Sequence, residues 1–285
     1  MKIKKILNNN VVITLNDCKE EIVVMGKGLA YGKKVGDNID SNKVSKIFEM
    51  SLKNEHKKMI NMLKDIPIEY LEITDEVMKV AKKELDRDID DTLYISLTDH
   101  IHTSIERYKE GIILKNHLLF EIKHFYKKEY ELGQLALLLI LEKYNIQMLD
   151  DEAGFIAMHI VSSEIGKNID DVYEMTTFIQ EILVLVKNYF KITYDENSLS
   201  YYRFITHLKF FGLRVFNNSK HREDNSLNND LLEIMKEKYI GPYMCALEIK
   251  KHIEKNYKYI LEDEEILYLT IHIAKIIMNK GGKKK

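Results

Sequence analysis

The first fifty residues alternate between short apolar runs and clusters of turn-forming residues. Three runs rich in β-branched side chains come first, "IKKIL", "VVITL" and "EEIVVM", and the clusters "NNN" and "NDCKE" separate them. A fourth run, "KVSKIFE", follows a glycine-rich stretch. The pattern predicts a small antiparallel meander of four strands. Because a sheet of this size has a face to cover and little chain to cover it with, we expect two copies to pair as a homodimer.

After Ser51 the apolar positions change to a helical period and keep it almost to the end of the chain. Four amphipathic segments begin with Asp or Ser, as helices often do: "DDTLYISLTDHIHTSIERYKEG", "DEAGFIAMHIVSSEI", "SLSYYRFITHLKFFGLRVF" and "DEEILYLTIHIAKIIM". The predicted fold class is therefore multidomain, with a small all-β N-terminal antiparallel sheet that dimerises, followed by all-α helical bundles.

The helical part contains an internal repeat. The segment "DEAGFIAMHI" aligns with "EEILYLTIHI", and "SLTDHIHTSI" aligns with "YRFITHLKFF", at offsets of 113 and 107 residues. A repeat of about 110 residues has the size of a domain, so we predict two tandem helical-bundle domains with a boundary near "GKNIDD". The predicted domains cover residues 1–56, 65–170 and 171–278.

Each repeat carries two histidines in the middle of predicted helices, at the edge of an apolar stripe. His100, for example, borders the stripe that contains Leu93 and Leu97. One such histidine alone is most often a packed residue at the edge of a core. Packing, however, would accept Leu or Gln equally well at four equivalent positions, so we interpret these imidazoles as groups that accept a modification. The four are His100, His159, His207 and His272.

No metal-binding or catalytic signature accompanies these histidines in the sequence. His100 and His102 are two residues apart, so on a helix they point in different directions. Cys18 and Cys245 match no metal or redox spacing. A P-loop, a G-x-S-x-G motif and a dinucleotide fingerprint are also absent from the sequence. We therefore predict a protein that is not an enzyme and that has neither a metal site nor a cofactor.

The net charge of −2 conceals a basic N-terminal end. Residues 1–36 contain seven lysines and three acidic residues, which suits an anion-binding module attached to a mildly acidic body. The N-terminus lacks the apolar region of a signal peptide, and the longest apolar run, "LALLLIL", is far shorter than the roughly 20 residues that span a bilayer. With both cysteines interpreted as free thiols, we expect a cytoplasmic protein without membrane insertion.

Six segments together resemble the BglG/LicT-type transcriptional antiterminators: "ILNNNVV", "VVMGKGLAYGKKVGD", "YISLTDHI", "DEAGFIAMHIV", "YYRFITHLKFF" and "LYLTIHI". They occur in the same order as in that family and cover almost the whole chain, from Lys2 to about Ile277. The resemblance implies a co-antiterminator RNA-binding domain followed by two regulation domains of the phosphotransferase system (PTS). Each regulation domain is expected to be all-α and to carry two phosphorylatable histidines.

The resemblance also implies which residues contact RNA. Tyr31 would stack on an unpaired base, the lysines would meet phosphate, and the glycines would let the backbone approach closely. Each position also has a purely structural interpretation, as a hairpin glycine, a surface tyrosine or a solvated lysine. The family usually has Arg where this chain has Lys27, and lysine lacks the planar guanidinium fork. The six implied contacts are Lys5, Asn10, Gly26, Lys27, Gly28 and Tyr31.

A mechanism and partners follow from the resemblance. A homodimer of the sheet domain would hold an RNA hairpin in the mRNA leader of a sugar operon, for β-glucosides or sucrose, so that a terminator does not form. Phosphate from a sugar-specific PTS enzyme II on His100 and His159 would switch the protein off. Phosphate from HPr on His207 and His272 would favour the active dimer.

Two alternatives remain at the level of the sequence. One is a DNA-binding activator with the same regulation domains, which requires an N-terminal helix-turn-helix, whereas this chain begins with strands. The other is a histidine phosphocarrier enzyme acting on a sugar, which requires a sugar pocket.

Overall fold

The computed structural model describes residues 1–49, 66–85, 91–217 and 226–281. The predicted domain limits at residues 56 and 65 lie outside the described residues. The predicted order, one small sheet followed by helices, is confirmed.

The N-terminal sheet is the predicted antiparallel meander, with the strand order β1-β2-β3-β4. Residues 1–49 contain these strands and a 3₁₀ turn at Ser41–Lys43, which does not fit the helix-turn-helix that a DNA-binding alternative requires. The strands are β1 (Lys5–Asn8), β2 (Val11–Leu15), β3 (Glu21–Met25) and β4 (Lys46–Glu49).

Strand β1 begins two residues later than the apolar run "IKKIL" predicted. The reason is that Ile3 pairs with a loop: its backbone N–H donates to the Asp37 carbonyl oxygen at 2.9 Å, and its own carbonyl oxygen accepts from the Gly36 N–H at 2.8 Å. Ile3 is nevertheless buried in the core on one side of the sheet. The apolar pattern thus located the buried side chain but not its backbone partner.

Both faces of the sheet are buried within the chain. Val12, Ile22 and Val24 lie under the segment that contains Leu29 and Ile39. The opposite face shares one continuous hydrophobic core with buried residues of the helices that follow. The sheet residues on that face are Val11, Ile13, Val23, Met25 and Phe48.

The helical side of this shared core includes Tyr94, whose ring centroid lies 5.3 Å from that of Phe48. The uncovered sheet face from which the sequence predicted a homodimer is therefore absent, and that reason is wrong. Helices of the same chain supply the cover, which composition and strand length did not reveal. The homodimer itself stays a prediction.

Ten α-helices lie in the described residues from residue 66 onwards. They are α1 (Ile68–Glu84), α2 (Asp91–Lys109), α3 (Leu119–Phe125), α4 (Lys127–Tyr144), α5 (Asp150–Ile165), α6 (Ile169–Phe190), α7 (Leu199–Asn217), α8 (Ser226–Lys238), α9 (Ile240–Tyr257) and α10 (Asp263–Gly281). In the part of the chain that the structure describes, none of these helices is long and apolar enough to cross a membrane.

The chain forms two compact units. Unit 1 comprises Met1–Leu119 and Tyr126–Lys167, and unit 2 comprises Phe120–Phe125 and Asn168–Lys285. The predicted boundary segment "GKNIDD" begins directly after α5, with Gly166 in the left-handed conformation, at a φ of 62°, that favours glycine. Asn168 then caps the N-terminus of α6, because its side-chain oxygen accepts the backbone N–H of Asp171.

Within unit 1, helices α4 and α5 approach closely at Gly133. A Cβ atom on this glycine would lie 2.2 Å from the carbonyl oxygen of Ala153, so the two backbones are in direct contact. Because α5 carries His159, this contact helps to set the position of one candidate histidine.

Candidate functional site

The turn between β1 and β2 lies against the turn that follows β3. The backbone N–H of Gly26 donates to the carbonyl oxygen of Asn10 at 2.9 Å, and the N–H of Gly28 donates to the Asn10 side-chain oxygen at 2.8 Å. The Tyr31 N–H donates in turn to the Gly28 carbonyl oxygen at 3.2 Å. These bonds bring five of the six predicted RNA contacts to one place, which we call the N-terminal corner. Its residues are Asn10, Gly26, Lys27, Gly28 and Tyr31.

Two side chains of the corner are fully available to a ligand. Tyr31 is 77% exposed, and Lys27, four residues earlier, is also exposed. Asn10 is half-buried and its side-chain oxygen is used within the fold, so its amide NH₂ is the group that remains to meet a base edge. Lys5 is exposed on the edge strand β1 and lies outside the hydrogen-bonded corner. An exposed ring in the same corner as a cation and an amide suits an unpaired nucleotide.

The two glycines of the corner have roles within the fold itself. A Cβ atom on Gly26 would lie 1.7 Å from the carbonyl oxygen of Lys43, so this position holds the turn against the segment before β4. Gly28 has a φ of +62°, a conformation that favours glycine. Their contacts with RNA stay predictions, but packing already requires glycine at position 26 and backbone conformation favours it at position 28.

Each unit brings its two candidate histidines together across a pair of helices. In unit 1, the rings of His100 on α2 and His159 on α5 have centroids 4.7 Å apart. In unit 2, the rings of His207 on α7 and His272 on α10 have centroids 4.8 Å apart. All four side chains are half-buried, as expected for residues at the edge of a core.

An arginine and a glutamate face each other across the same helix pairs, seven residues from the histidines. Seven residues make about two turns of an α-helix, so these groups lie on the same helix faces as the imidazoles. We call each set of four residues a histidine ladder. The first ladder is His100, Arg107, Glu152 and His159, and the second is His207, Arg214, Glu265 and His272.

In the first ladder, Glu152 is shared between two donors. His100 Nε2 lies 3.1 Å from one carboxylate oxygen, and Arg107 Nη2 lies 3.3 Å from the other. Burial alone would raise the pKa of Glu152, but the hydrogen bond from His100 and the charge of Arg107 lower it overall. The Nε of Arg107 is buried without a hydrogen-bond partner.

In the second ladder, the glutamate is paired with the arginine through two hydrogen bonds. Arg214 Nε donates to one oxygen of Glu265 at 2.6 Å, and its Nη2 donates to the other at 3.1 Å, which is a bidentate pair. The Nε2 of His207 is buried without a hydrogen-bond partner. The two ladders therefore contain the same four residue types in different pairings.

Three of the four half-buried imidazoles are neutral at pH 7. Burial, together with the neighbouring His100, lowers the pKa of His159 to about 3. Burial, with His272 and Arg214 nearby, lowers the pKa of His207 to about 3, and burial lowers that of His272 to about 4. A neutral imidazole keeps a lone pair on one ring nitrogen, so each of these rings can act as a nucleophile.

His159 should make the stability of the protein depend on pH. Its pKa in the folded state lies below the roughly 6.5 of an unfolded chain, so the unfolded state binds an extra proton as pH falls. The stability contribution is complete above about pH 6.5, and about 2 to 3 kcal/mol of it is lost by pH 4.5. In urea titrations at pH 7 and 4.5, His159→Gln should lose less stability on acidification than the parent by that amount.

The matched control for this titration is His117→Gln, which removes an exposed histidine of the same unit. It should leave the difference between the two pH values close to that of the parent. Equal acid sensitivity in His159→Gln and the parent would contradict the assignment of a buried, neutral imidazole.

Comparison with known proteins identifies the family. Residues 1–57 match the family of the CAT RNA binding domain, and residues 75–163 and 180–276 each match the PRD domain. The chain is 44% identical over 277 residues to the transcription antiterminator LicT of Bacillus subtilis (strain 168), which covers 97% of this chain and 99% of LicT. The chain belongs to the CAT–PRD transcription antiterminators.

Further relatives agree with this family of antiterminators. The β-glucoside operon antiterminator of Dickeya chrysanthemi is 39% identical over 277 residues, which are 97% of this chain and 96% of the relative. The crystal structure of GlcT CAT-PRDI matches with a TM-score of 0.50 and 32% identity over 57% of this chain and 96% of that one. The RNA-binding class and the tandem repeat predicted from the sequence are thus confirmed, and the family is a regulatory one.

Sequence analysis did not identify four residues of the two histidine ladders. Their signal is regular: in both repeats an arginine follows the first histidine by seven residues, and a glutamate precedes the second histidine by seven. The alignment of the repeats already paired the two glutamates, but nothing in the sequence showed that they face the arginines. The missed residues are Arg107, Glu152, Arg214 and Glu265.

The remaining described histidines lie outside the ladders. His124 lies 2.7 Å from Glu196 and His252 lies 2.9 Å from Glu181, in pairs with a single carboxylate each. Across residues 1–49, 66–85, 91–217 and 226–281, no three His, Cys, Asp or Glu side chains are grouped so as to hold a metal ion.

Proposed function

We propose that this antiterminator acts in the cytoplasm as a homodimer that holds a hairpin in the leader of a β-glucoside or sucrose operon mRNA. Holding the hairpin prevents an overlapping terminator from forming, so that RNA polymerase continues. Phosphorylation of the ladder histidines by PTS proteins controls whether two CAT domains come together. The CAT domain, the two PRD domains and the relative named as a β-glucoside operon antiterminator support this proposal.

The observation that carries the proposal is the histidine pair repeated in both PRD domains. In each unit two half-buried imidazoles stand side by side across two helices, at 4.7 and 4.8 Å between ring centroids. A phosphoryl group adds about two negative charges at such a place. Because burial disfavours charge there, the helix pair must rearrange to hydrate or neutralise the group, which is the physical basis of a switch.

The transfer of the phosphoryl group is balanced without any further reactant. The phosphorus–nitrogen bond of a donor phosphohistidine breaks, and a new one forms to the lone pair of the acceptor imidazole. The acceptor keeps the proton on its second ring nitrogen, and the donor, whose own second ring nitrogen is protonated before the transfer, leaves as a neutral imidazole. In the first ladder the Glu152 carboxylate accepts the Nε2–H of His100, so Nδ1 is the nitrogen left to receive a phosphoryl group.

The two ladders receive their phosphoryl groups from different donors in this proposal. HPr phosphorylates His207 and His272 and so favours the active dimer, whereas a sugar-specific enzyme II phosphorylates His100 and His159 and switches the protein off. Transported sugar drains phosphate from enzyme II, so the first ladder becomes unmodified when substrate is present. The pairing of the CAT domains therefore depends both on phosphorylation by HPr and on phosphorylation by enzyme II.

The phosphorylation step is tested by mass spectrometry after incubation with HPr, enzyme I and phosphoenolpyruvate, with and without enzyme II. We expect phosphohistidine at positions 207 and 272 from HPr, and at 100 and 159 when enzyme II is added. Exposed His117 is the internal control and should stay unmodified. Phosphate spread over all histidines, or on none, would contradict the proposal.

At the N-terminal corner, Tyr31→Ala should weaken hairpin binding by about 1 to 3 kcal/mol, the usual loss for one base–aromatic stack. Tyr31 is 77% exposed, so its removal should leave the stability of the sheet almost unchanged. The measurement is a gel-shift titration of the leader hairpin, with a fully paired RNA duplex as the competitor. Tyr31→Phe keeps the ring and is the matched control. Equal affinities for Tyr31→Ala and Tyr31→Phe would exclude stacking.

A further inference from the structure

In the second ladder, the charge of Arg214 acts on His207, a histidine whose Nε2 makes no hydrogen bond. Arg214 donates two hydrogen bonds to Glu265. His207 lies two helical turns earlier on the same face of α7, and its Nε2 is buried without a hydrogen bond. Arg214 is near enough to contribute to the lowered pKa of His207. Between them lies the buried ring of Phe211, whose centroid is 5.9 Å from the Arg214 guanidinium carbon.

A phosphoryl group on His207 would change the electrostatics of this ladder. It would add about two negative charges to the ladder that already holds the Glu265 carboxylate, whose side chain is only 7% exposed. Two anions at that depth repel each other strongly, because water screens them little. The guanidinium fork that now holds a carboxylate has the geometry to hold a phosphoryl group with the same donors, and the more highly charged partner attracts it more.

We propose that Arg214 is the receptor for a phosphoryl group on His207, and that phosphorylation exchanges its partner from Glu265 to the phosphoryl oxygens. The inference rests on the proposed phosphorylation of the second PRD domain. The exchange breaks the ion pair that joins α7 to α10 and leaves the Glu265 carboxylate buried without its cation. A buried unpaired charge is strongly destabilising, so the helix pair must move to expose it. Arg214 and Glu265 thereby convert a chemical modification into a change of helix packing.

The first ladder starts from a different state. Arg107 gives Glu152 one hydrogen bond, at 3.3 Å, and His100 supplies another. A phosphoryl group on Nε2 of His100 would have to displace the carboxylate from that nitrogen, and a group on Nδ1 would leave it in place. The loss of a bidentate pair is therefore particular to the second ladder, and so is the exchange.

The test uses the full-length chain with His272→Asn, so that His207 is the acceptor that remains in the second ladder. Potassium phosphoramidate, a chemical donor that needs no carrier protein, places the phosphoryl group. The second ionisation of that group is followed by ³¹P NMR as the pH is varied, and mass spectrometry of peptides confirms position 207. In the chain that also carries Arg214→Gln, this ionisation should occur at least about one pH unit higher, because an adjacent cation lowers an anion's pKa by 1 to 3 units.

Further variants define the contribution of Arg214. Lys251→Gln removes a positive charge from a surface ion pair with Glu248 in the same unit and should leave the titration unchanged. Arg214→Lys keeps the charge without the fork and should give an intermediate value. If Arg214→Gln alone does not fold, Glu265→Gln is compared with the double variant Arg214→Gln/Glu265→Gln, in which no buried carboxylate is left unpaired.

The outcomes separate this inference from the function it rests on. Equal titration with and without Arg214 overturns the receptor role, as does failure of phosphoramidate to modify His207 at all. A lowered ionisation that requires Arg214, in a chain that phosphoramidate modifies but HPr does not, supports the receptor and contradicts the proposed donor.

Discussion

Gly26→Ala is expected to disrupt the N-terminal corner and abolish binding of the leader hairpin. The added Cβ would lie 1.7 Å from the carbonyl oxygen of Lys43 and 2.8 Å from its carbonyl carbon. These are backbone atoms, so no side-chain rotation can relieve the overlap. Either β3 and β4 separate, or the hydrogen bond from the Gly26 N–H to Asn10 is lost. In both cases the groups that would meet RNA no longer share one surface.

The expected cost of this change is at least about 3 kcal/mol of unfolding free energy, the upper end of overpacking penalties. Urea denaturation and a gel shift with the leader hairpin measure the two effects separately. The matched control is Gly32→Ala in the same segment. Gly32 has a φ of +69°, and a Cβ atom added there would meet nothing within 4 Å, so the cost should stay at the roughly 1 to 2 kcal/mol of a left-handed residue. Tight hairpin binding by Gly26→Ala would show that the corner is not the RNA site.

His207→Asp combined with His272→Asp is expected to raise transcriptional read-through in the absence of sugar by at least about tenfold, the effect of 1.4 kcal/mol on an equilibrium. Each carboxylate imitates part of the charge of a phosphoryl group within the second ladder. A buried carboxylate there either takes Arg214 from Glu265 or forces the helix pair to open, as proposed for the phosphorylated protein. A read-through reporter and light scattering of the purified variant measure activity and dimerisation together.

The matched control is His207→Asn with His272→Asn, which keeps the size of Asp without its charge. This protein cannot be phosphorylated in the second ladder and should stay inactive whether or not sugar is present. His100→Ala tests the opposite ladder and should give activity that no longer depends on sugar. Unchanged activity and dimerisation in the Asn and Asp variants under all sugar conditions would refute the assignment of the switch.

The sequence predicted the strands and the histidine-bearing helices well because local patterns carry that information. β-branched runs separated by Asn and Asp clusters placed β2 and β3 almost residue by residue. The stripe that contains Leu93 and Leu97 is fully buried in α2, as its helical period predicted. The histidines lie at the edges of such stripes, so their half-burial also followed from the pattern.

The cover of the sheet did not follow from any local pattern. Phe48 looked like one apolar residue of a short strand, and its packing against Tyr94 joins segments 46 residues apart in sequence. The sequence therefore predicted the sheet correctly, but the uncovered face from which it predicted a homodimer does not exist. Whether a sheet face is covered depends on which helices fold back onto it, and the periodicity of apolar residues does not predict which helices do so.

The sequence did not predict the glutamate–arginine pairs, although their spacing is visible in it. Spacings of seven residues were present in both repeats, yet Arg214 and Glu265 are 51 residues apart and meet only because α7 and α10 pack side by side. The structure also showed that Glu152 is divided between two donors while Glu265 is held by one. No spacing distinguishes these states, since both ladders have the same four residue types at the same intervals.

By itself, the amino-acid sequence determined the order of the domains, their secondary structure and the four imidazoles, because each of these depends on residues close together in the chain. The tertiary structure decided which groups face the imidazoles, which nitrogen atoms stay without a partner and why Gly26 must lack a side chain. Those properties arise from contacts between distant segments, where a difference of one or two ångströms decides whether a charge is paired.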